Sequence, residues 1–464
     1  MSAPTPARRV AFEVVRRTFE HDAWTDRALR SAAARHELEG RELAFAQRLA
    51  YGAVQRRGTT DHLIKRLGRR RADQLDPPVV AALRLGLYEL LFTGGSPDRA
   101  VVDQAVELAK RGMRAGGTGS RARANAASGM ANAVLRRAAR DREELLATLE
   151  DSTPAAAGLA HSYPRWIAEL WWEELGPDVA RALMAAMNEP AETALRVNAL
   201  RADAQRLATE LSEGGEHVEP PAATAPGDPL APAEALLVRG ALGSNLRARV
   251  ASGELVPQSR ASQAVVGALG AEPGERVLDL CAGPGIKTTA LAARLGGGGE
   301  VIAIEHDPGR ADEIRELCER MGAGNVRVEV ADAAADDLGE GYDRVLVDPP
   351  CSDLGALASR PDARWRKSAA QVERLAGLQG EILARGAAAL RPGGALVYST
   401  CTISARENEG VVAAALERHP GLIADDLGAE HPRLASARDP RFWQIRPDRD
   451  RTTGFFIARL RREL

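Results

Sequence analysis

A chain of 464 residues is too long for one compact core, so two or three domains are expected. Hydrophobic residues at 45 % and charged residues at 27 % are ordinary globular composition, and no stretch approaches the length of a membrane span. The formal charge of -2 hides an asymmetry: residues 1–150 carry 27 basic against 18 acidic side chains, a net +9, and the remainder a net -11, so the first third suits a phosphate-backbone partner.

The N-terminus has Arg8 and Arg9 but no uninterrupted apolar segment of the kind a secretory signal needs. The four cysteines, Cys281, Cys318, Cys351 and Cys401, form no CxxC pair and have no histidine cluster beside them. This argues against a zinc site or a disulfide framework and points to a reducing cytoplasm.

Residues 1–148 have a helical rhythm without strand signals. Asp76-Pro77 offers an N-cap with proline at the first helical position, followed by Val79, Leu83, Leu87, Leu90 and Leu91 at helical spacing. Ser96-Pro97 opens another helix, with Val102, Ala105, Val106 and Ala109 on one face. Gly112–Ala124 is rich in Gly, Ala, Arg and Ser and is expected to be a basic loop; a further helix carries Ala131, Val134 and Leu135. A small helical bundle is expected. Residues 149–255 are less regular: an amphipathic helix carries Trp166, Leu170, Trp171 and Leu175, a short strand covers Leu195–Asn198, and Ala222–Pro232 is a loop. This part is expected to be a connecting helix plus a small α/β subdomain.

From residue 256 strands alternate with helices. The expected strands are Arg276–Leu280, Val301–Ile304, Val326–Val330, Arg344–Val347 and Ala395–Tyr398. The expected helices are Asp307–Met321 and Ala370–Leu390, and Pro392-Gly393-Gly394 is expected to turn into the fifth strand. The pattern predicts a parallel doubly wound α/β sheet over residues 256–464, with a last strand over Gly454–Leu460 running antiparallel.

Between the first strand and its helix lies Cys281-Ala282-Gly283-Pro284-Gly285-Ile286-Lys287. Glycines let the backbone approach a ligand there, and the helix N-terminus points free N–H groups into the same crevice. Glu305 follows the second strand, placed to accept hydrogen bonds from ribose hydroxyls; Asp332 follows the third strand and Asp348 the fourth. The absence of G-x-G-x-x-G, with Pro284 inside the loop, favours an adenosyl cofactor without a pyrophosphate.

Asp348-Pro349-Pro350-Cys351 follows the fourth strand and Ser399-Thr400-Cys401-Thr402 the fifth, so both thiols are expected above the sheet near the cofactor. Cys318, on a helix, is expected to be an apolar filler. Strand-end thiols suit one chemistry. Carbon 5 of cytosine is too electron-poor to attack a methyl sulfonium, and addition of a thiolate to carbon 6 makes carbon 5 nucleophilic. A carboxyl near ring nitrogen 3 assists, and a second cysteine can assist release. The residues alone do not choose which cysteine attacks.

At CAGPGIK, DPPC and STCT, with Asn408-Glu409 and Arg360-Pro361-Asp362-Ala363-Arg364-Trp365, the sequence resembles the RNA 5-methylcytosine methyltransferases of the NOL/NOP/Sun type. The first region, through DPPVVAALRLGLYELL and Asn132-Ala133-Val134-Leu135-Arg136, resembles the RNA-binding factor NusB. The resemblance implies a Rossmann-like catalytic domain behind a NusB-like one, S-adenosyl-L-methionine as cofactor and small-subunit ribosomal RNA as substrate. It implies that Cys281–Lys287, Glu305, Asp332 and Asp348 line the cofactor pocket, that Cys401 is the nucleophile and that Cys351 promotes release, with Asp348 beside them. The expected division is 1–148 NusB-like, 149–255 connecting and 256–464 catalytic, in a monomer with no membrane or metal partner.

Three positions depart from the pattern. Ile286 stands where a second glycine is usual and cannot comfortably take a positive φ, so a reshaped loop is expected. Asp353 stands where a small residue is common, with a charge expected to act on Cys351. The segment after Gln258 lacks a usual acidic residue. The alternatives are a non-catalytic RNA-binding assembly factor, or the same chemistry on transfer RNA.

Overall fold

The computed structural model describes residues 3–115 and 121–464 and divides into two compact units. One unit comprises Met1–Pro190 together with Leu357–Arg366; the other comprises Ala191–Ala356 and Lys367–Leu464.

The first unit is helical. Its central helix, Pro77–Phe92, buries Leu83, Leu85, Leu87 and Leu90 on successive faces, as a helix surrounded by others must. Helices Pro6–Glu20, Gly40–Gln55, Asp98–Ala115 and Arg121–Arg140 pack around it. Gly86 admits the last of these: a Cβ there would lie 2.9 Å from Leu135 Cδ2. The basic loop expected over Gly112–Ala124 is shorter than its composition suggests. Gly112 to Ala115 continue a helix, with Gly112 seated against Pro78 and Phe12, and Arg121 to Ala124 begin the next. Close packing rather than turning explains that glycine; residues 116–120 lie outside the described residues.

The stretch Leu357–Arg366 leaves the second unit and is built into the first. Arg364 is fully buried there. Its guanidinium lies 4.1 Å from the centre of the Tyr163 ring and donates to the carbonyls of Ser162, Met187 and Leu357 and to Asn188 Oδ1. Trp365 Nε1 donates to the Val54 carbonyl at 2.8 Å. The Arg-Pro-Asp-Ala-Arg-Trp run is thus an anchor in the helical unit.

The second unit holds two sheets. The smaller contains β1 (Ala194–Val197), β2 (Val218–Glu219), β3 (Ala235–Val238) and β4 (Leu255–Pro257), antiparallel in the order β2-β3-β1-β4. Of these, only the first was expected: two to four residues between Gly and Pro leave little alternation to detect. Leu195, Val197, Leu207, Leu211, Leu236 and Leu255 form its core.

The larger sheet contains β5 (Arg276–Asp279), β6 (Glu300–Glu305), β7 (Val326–Val330), β8 (Tyr342–Val347), β9 (Leu390–Thr400), β10 (Leu422–Ala424), β11 (Trp443–Ile445) and β12 (Phe455–Arg462). Its order is β10-β12-β9-β8-β5-β6-β7, with β11 paired to β12. Strands β5 to β9 are parallel, and β12 runs antiparallel to β9 as expected. Apolar β5, β6 and β8 are covered on both faces, whereas the edge strand β7 is half-exposed. Strand β9 begins before the expected turn: Tyr342 pairs with Leu390, and the register slips before Arg344 meets Ala395. Pro392 has no N–H to give the ladder, and Gly393 takes φ +74°, so the turn survives as an irregularity within the strand. The chain order reverses between β5 and β8, and in such sheets ligands bind at the carboxyl ends of the strands flanking that switch.

Helix Ala369–Ala389 covers β8 and β9, with Ser368 capping the Gln371 N–H. Gly386 is where it comes closest: a Cβ would lie 2.8 Å from Val347 Cγ2 and 3.1 Å from Leu280 and Leu396. Helix propensity favours alanine over glycine by about 1 kcal/mol, but overpacking costs about 1–3 kcal/mol, and a branched side chain adds to the second effect. Gly386→Val is therefore expected to lower unfolding free energy by about 2–3 kcal/mol, measured by urea denaturation; unchanged stability would contradict the packing.

Candidate active site

The loop Cys281 to Lys287 joins β5 to helix Ile286–Leu295. Gly285 caps the helix with φ +91°, a left-handed conformation suited to glycine. Ile286 does not take the strained position; it is the first residue of the helix and packs with Val256, Leu317 and Met321. The reshaping expected from Ile286 therefore does not arise, because the positive φ falls one residue earlier. At Gly283 a Cβ would lie 2.3 Å from a Glu305 carboxylate oxygen. Loop and carboxylate meet only because that side chain is missing.

Glu305, at the end of β6, is 6 % exposed and accepts from the Asp307 N–H at 3.0 Å, with His306 Nδ1 also at 3.0 Å. Asp332, beyond β7, is exposed and accepts from the Ala334 N–H at 2.9 Å, so it also shapes its own turn. Asp348, beyond β8, accepts from Lys287 Nζ at 2.5 Å and from Ser399 Oγ at 2.8 Å. Lys287 is therefore committed to Asp348, with its ammonium 5.2 Å from the centre of the Phe455 ring. Burial alone would lower the Lys287 pKa, but the Asp348 carboxylate outweighs it and the net direction is upward. Acids converge electrostatically on Cys281: burial first, then the charges of Asp279 and of the expected Asp348, Glu305 and Asp332, push its thiol well above the usual range. Cys318, as expected, is a buried filler in the core.

The two strand-end thiols meet. Cys351 Sγ and Cys401 Sγ are 3.3 Å apart, and both cysteines are free of disulfides. Cys351 is buried and Cys401 half-buried. Asp353 reaches beyond its sequence neighbour as well: Cys401 Sγ donates to Asp353 Oδ1 at 3.2 Å. The turn after Cys351 carries that carboxylate across to the neighbouring strand end. Lys367 Nζ lies 3.3 Å from Asp353 Oδ2 and donates to the Cys351 carbonyl at 3.3 Å. The hydrogen bond with Cys351, then burial, then the charges of Cys351, Asp353 and Asp348, hold the Cys401 thiol well above its ordinary range. Cys351, Asp353 and Cys401 offer three donor atoms within 4.8 Å of one another. Lys367 Nζ sits on the carboxylate of that trio.

A buried polar frame supports the thiol loops. Glu407 accepts from the Ser352 N–H at 2.9 Å, from the Ser352 hydroxyl and from Gln379 Nε2 at 3.0 Å. The Gln379 amide also donates to the Pro350 carbonyl at 2.9 Å. Asn408 accepts from Thr400 Oγ1 at 2.6 Å and donates to the Thr402 carbonyl at 3.2 Å. Gly355 N–H donates to the Cys401 carbonyl at 3.0 Å. Gln258, where an acidic neighbour was missed, accepts from Arg196 at 2.6 Å and donates to Ser262 at 3.2 Å.

Sequence reasoning overlooked Glu407, Gln379 and above all Asp279. Asp279 is the last residue of β5, 1 % exposed, and accepts from Thr288 Oγ1 at 2.7 Å. An acid closing an otherwise apolar strand was the available signal. Burial, opposed by the Thr288 hydrogen bond and reinforced by Asp348, raises its pKa from 3.8 to about 6. Between those values the folded protein binds the proton more tightly than the unfolded chain, so this carboxyl lowers stability as pH rises from about 4 to 6. Asp279→Asn is expected to gain up to about 2 kcal/mol above pH 6 and nothing below pH 4, measured by urea denaturation across that range. A pH-independent difference would contradict the assignment.

The crevice at the switch point has the features that an adenosyl sulfonium requires: a backbone cradle that a Cβ at Gly283 would fill, a buried carboxylate at Glu305, and several acids to face positive charge. Comparison with known proteins agrees. The family described as 16S rRNA methyltransferase RsmB/F matches residues 266–461, the NusB family residues 5–140, and a ferredoxin-like domain of RsmF/B-like methyltransferases residues 163–227. The chain is 36 % identical to a putative methyltransferase of Mycobacterium tuberculosis, over 98 % of this chain and 96 % of that one. It is 35 % identical to the ribosomal RNA small subunit methyltransferase B of Thermus thermophilus, over 94 % and 92 %. The crystal structure of PH0851 superposes with a TM-score of 0.78 at 25 % identity, covering 100 % of both chains. By its motifs, its fold and these relatives, the chain belongs to the RsmB/F family of methyltransferases, whose cofactor is S-adenosyl-L-methionine.

Proposed function

We propose that this protein methylates carbon 5 of a cytosine in 16S ribosomal RNA through a transient cysteine–cytosine bond. The observation that carries this reading is the pair of sulfurs 3.3 Å apart at the ends of the adjacent parallel strands β8 and β9, beside Asp348. Residues Cys281, Ala282, Gly283, Pro284, Gly285, Ile286 and Lys287, with Glu305, Asp332 and Asp348, hold the cofactor. When bound, S-adenosylmethionine supplies an electrophilic methyl group.

The protein's own residues prepare the cytosine to accept it. Cys401 adds to carbon 6, and the electrons of the 5,6 double bond move into the ring. Asp348, oriented by Lys287 and Ser399, holds a proton at ring nitrogen 3, which favours that flow. After transfer the carbon-5 proton leaves and Cys351, in contact with the attacking sulfur, assists its expulsion. Glu407 and Gln379 keep the Cys351 turn in place and water out of its backbone. The match of residues 5–140 to the NusB family, and the basic charge of the first third, favour ribosomal RNA over transfer RNA as the partner. We assign RNA binding to residues 1–148, a connecting role to 149–255 and catalysis to 256–464, in a cytoplasmic monomer.

The test is methylation of 16S ribosomal RNA, with bisulfite sequencing to locate 5-methylcytosine. Cys401→Ala is expected to lose at least a thousandfold in rate. Cys351→Ala is expected to accumulate a protein–RNA adduct that survives denaturing gels. Equal, adduct-free loss in both variants would overturn the assigned roles.

A further inference from the structure

Asp353 is the charged residue of the thiol cluster to which the chemistry above gives no task. Its backbone has φ +60°, the left-handed region that side-chain-bearing residues adopt only at an energetic cost. A backbone outlier beside a reactive group invites a functional explanation. Both carboxylate oxygens are aimed. Oδ1 takes the hydrogen of the Cys401 thiol at 3.2 Å, and Oδ2 faces Lys367 Nζ at 3.3 Å. The ammonium is steadied in turn by the Cys351 carbonyl.

A carboxylate beside a thiol does two opposed things. Its charge disfavours a free thiolate, and its oxygen offers the thiol proton a destination. The ionisable groups facing Cys401 are Cys351, Asp353, Asp348 and Lys287, with Lys367 behind Asp353. The hydrogen bond with Cys351, then burial, then the neighbouring charges hold the Cys401 thiol above its ordinary range, so it rests as the thiol. A nucleophile in that state needs a base in contact with it at the moment of attack. Lys287, whose charge couples to Cys401, is committed to Asp348.

On the reading that Cys401 is the attacking group, we propose that Asp353 is its general base, held and charge-balanced by Lys367. As the Cys401 S–H bond breaks, the proton passes to Asp353 Oδ1. The sulfur's electron pair forms the bond to carbon 6, and the 5,6 electron pair moves into the ring. On release the carbon-5 proton passes to solvent water, and its electron pair restores the 5,6 double bond. The sulfur departs with the S–C6 pair and recovers the proton from Asp353. No further co-reactant is required.

The experiment measures adduct formation on a 16S ribosomal RNA transcript containing 5-fluorocytidine, in the presence of S-adenosylmethionine, from pH 6 to 9. Wild type, Cys401→Ala, Asp353→Asn and Asp353→Gly are compared; glycine suits the backbone at 353, and thermal melting checks folding. Wild type is expected to show a nearly level rate between pH 6.5 and 8.5. Both Asp353 variants are expected to fall about a hundredfold or more at pH 7 and to gain about tenfold per pH unit as thiolate becomes the attacking species. In a Cys351→Ala background, Asp353→Asn is expected to make Cys401 alkylate with iodoacetamide at lower pH than its parent does. Slower catalysis with an easier-ionising thiol is a combination that a purely structural role would not produce. Adducts on Cys401 with unchanged rates and pH profiles in both Asp353 variants would overturn this inference alone. A wild-type enzyme that forms no adduct on Cys401 would overturn it together with the reading on which it rests.

Discussion

Strand β8 pairs in parallel with β5 on one side and with β9 on the other, and everything chemical in this protein depends on that pairing. Parallel neighbours end at the same edge of a sheet. The glycine loop after β5, Asp348 and Cys351 after β8, and Cys401 after β9 are consequently brought together from residues more than a hundred positions apart. The reversal of chain order between β5 and β8 opens the crevice into which these ends project. Antiparallel β12 closes the far side of β9 and brings Phe455 beneath the Lys287 ammonium.

The crevice that results is acidic. Attraction between unit charges 4 Å apart is of the order of 4 kcal/mol near a protein surface, while desolvation takes several kcal/mol per ion. The Lys287–Asp348 pair is therefore no large source of stability. Its effect is geometric: it ties the glycine loop after β5 to the end of β8. Asp279 bonds to the Thr288 hydroxyl and feels Lys287 only as a lesser charge, and it holds its proton up to about pH 6.

Much of this was legible in the chain. The strands from β5 to β8 fall within one or two residues of their expected ends, because short apolar runs between glycine, proline and acidic residues have few other uses in an α/β sequence. The meeting of Cys351 and Cys401 followed from topology alone. What escaped had no local signature. Glu407 and Gln379 matter because of what they touch across the fold, and nothing in the run from Ser404 to Gly410 separates a buried acid from a solvated one. The effect of Ile286 was misjudged because sequence does not show which residue of a turn takes the left-handed conformation; Gly285 takes it. Asp353 was assigned to its sequence neighbour alone, but a turn can point a side chain across the sheet, and Cys401 also bonds to it.

The two ends of the stretch that leaves the second unit explain the placing of Lys367. Asp353 and Lys367 are fourteen residues apart, and ten of the residues between them, Leu357–Arg366, belong to the helical unit. Bringing together the ends of a flexible segment of that length costs about 2 kcal/mol beyond a constant, and a partly exposed ion pair returns about 0–1 kcal/mol. The Asp353–Lys367 contact cannot close the segment unaided. The segment itself is held within the helical unit, where Arg364 is fully buried with four hydrogen-bonded acceptors and Trp365 donates to Val54. A long basic side chain can then serve the thiol loop without having been encoded near it.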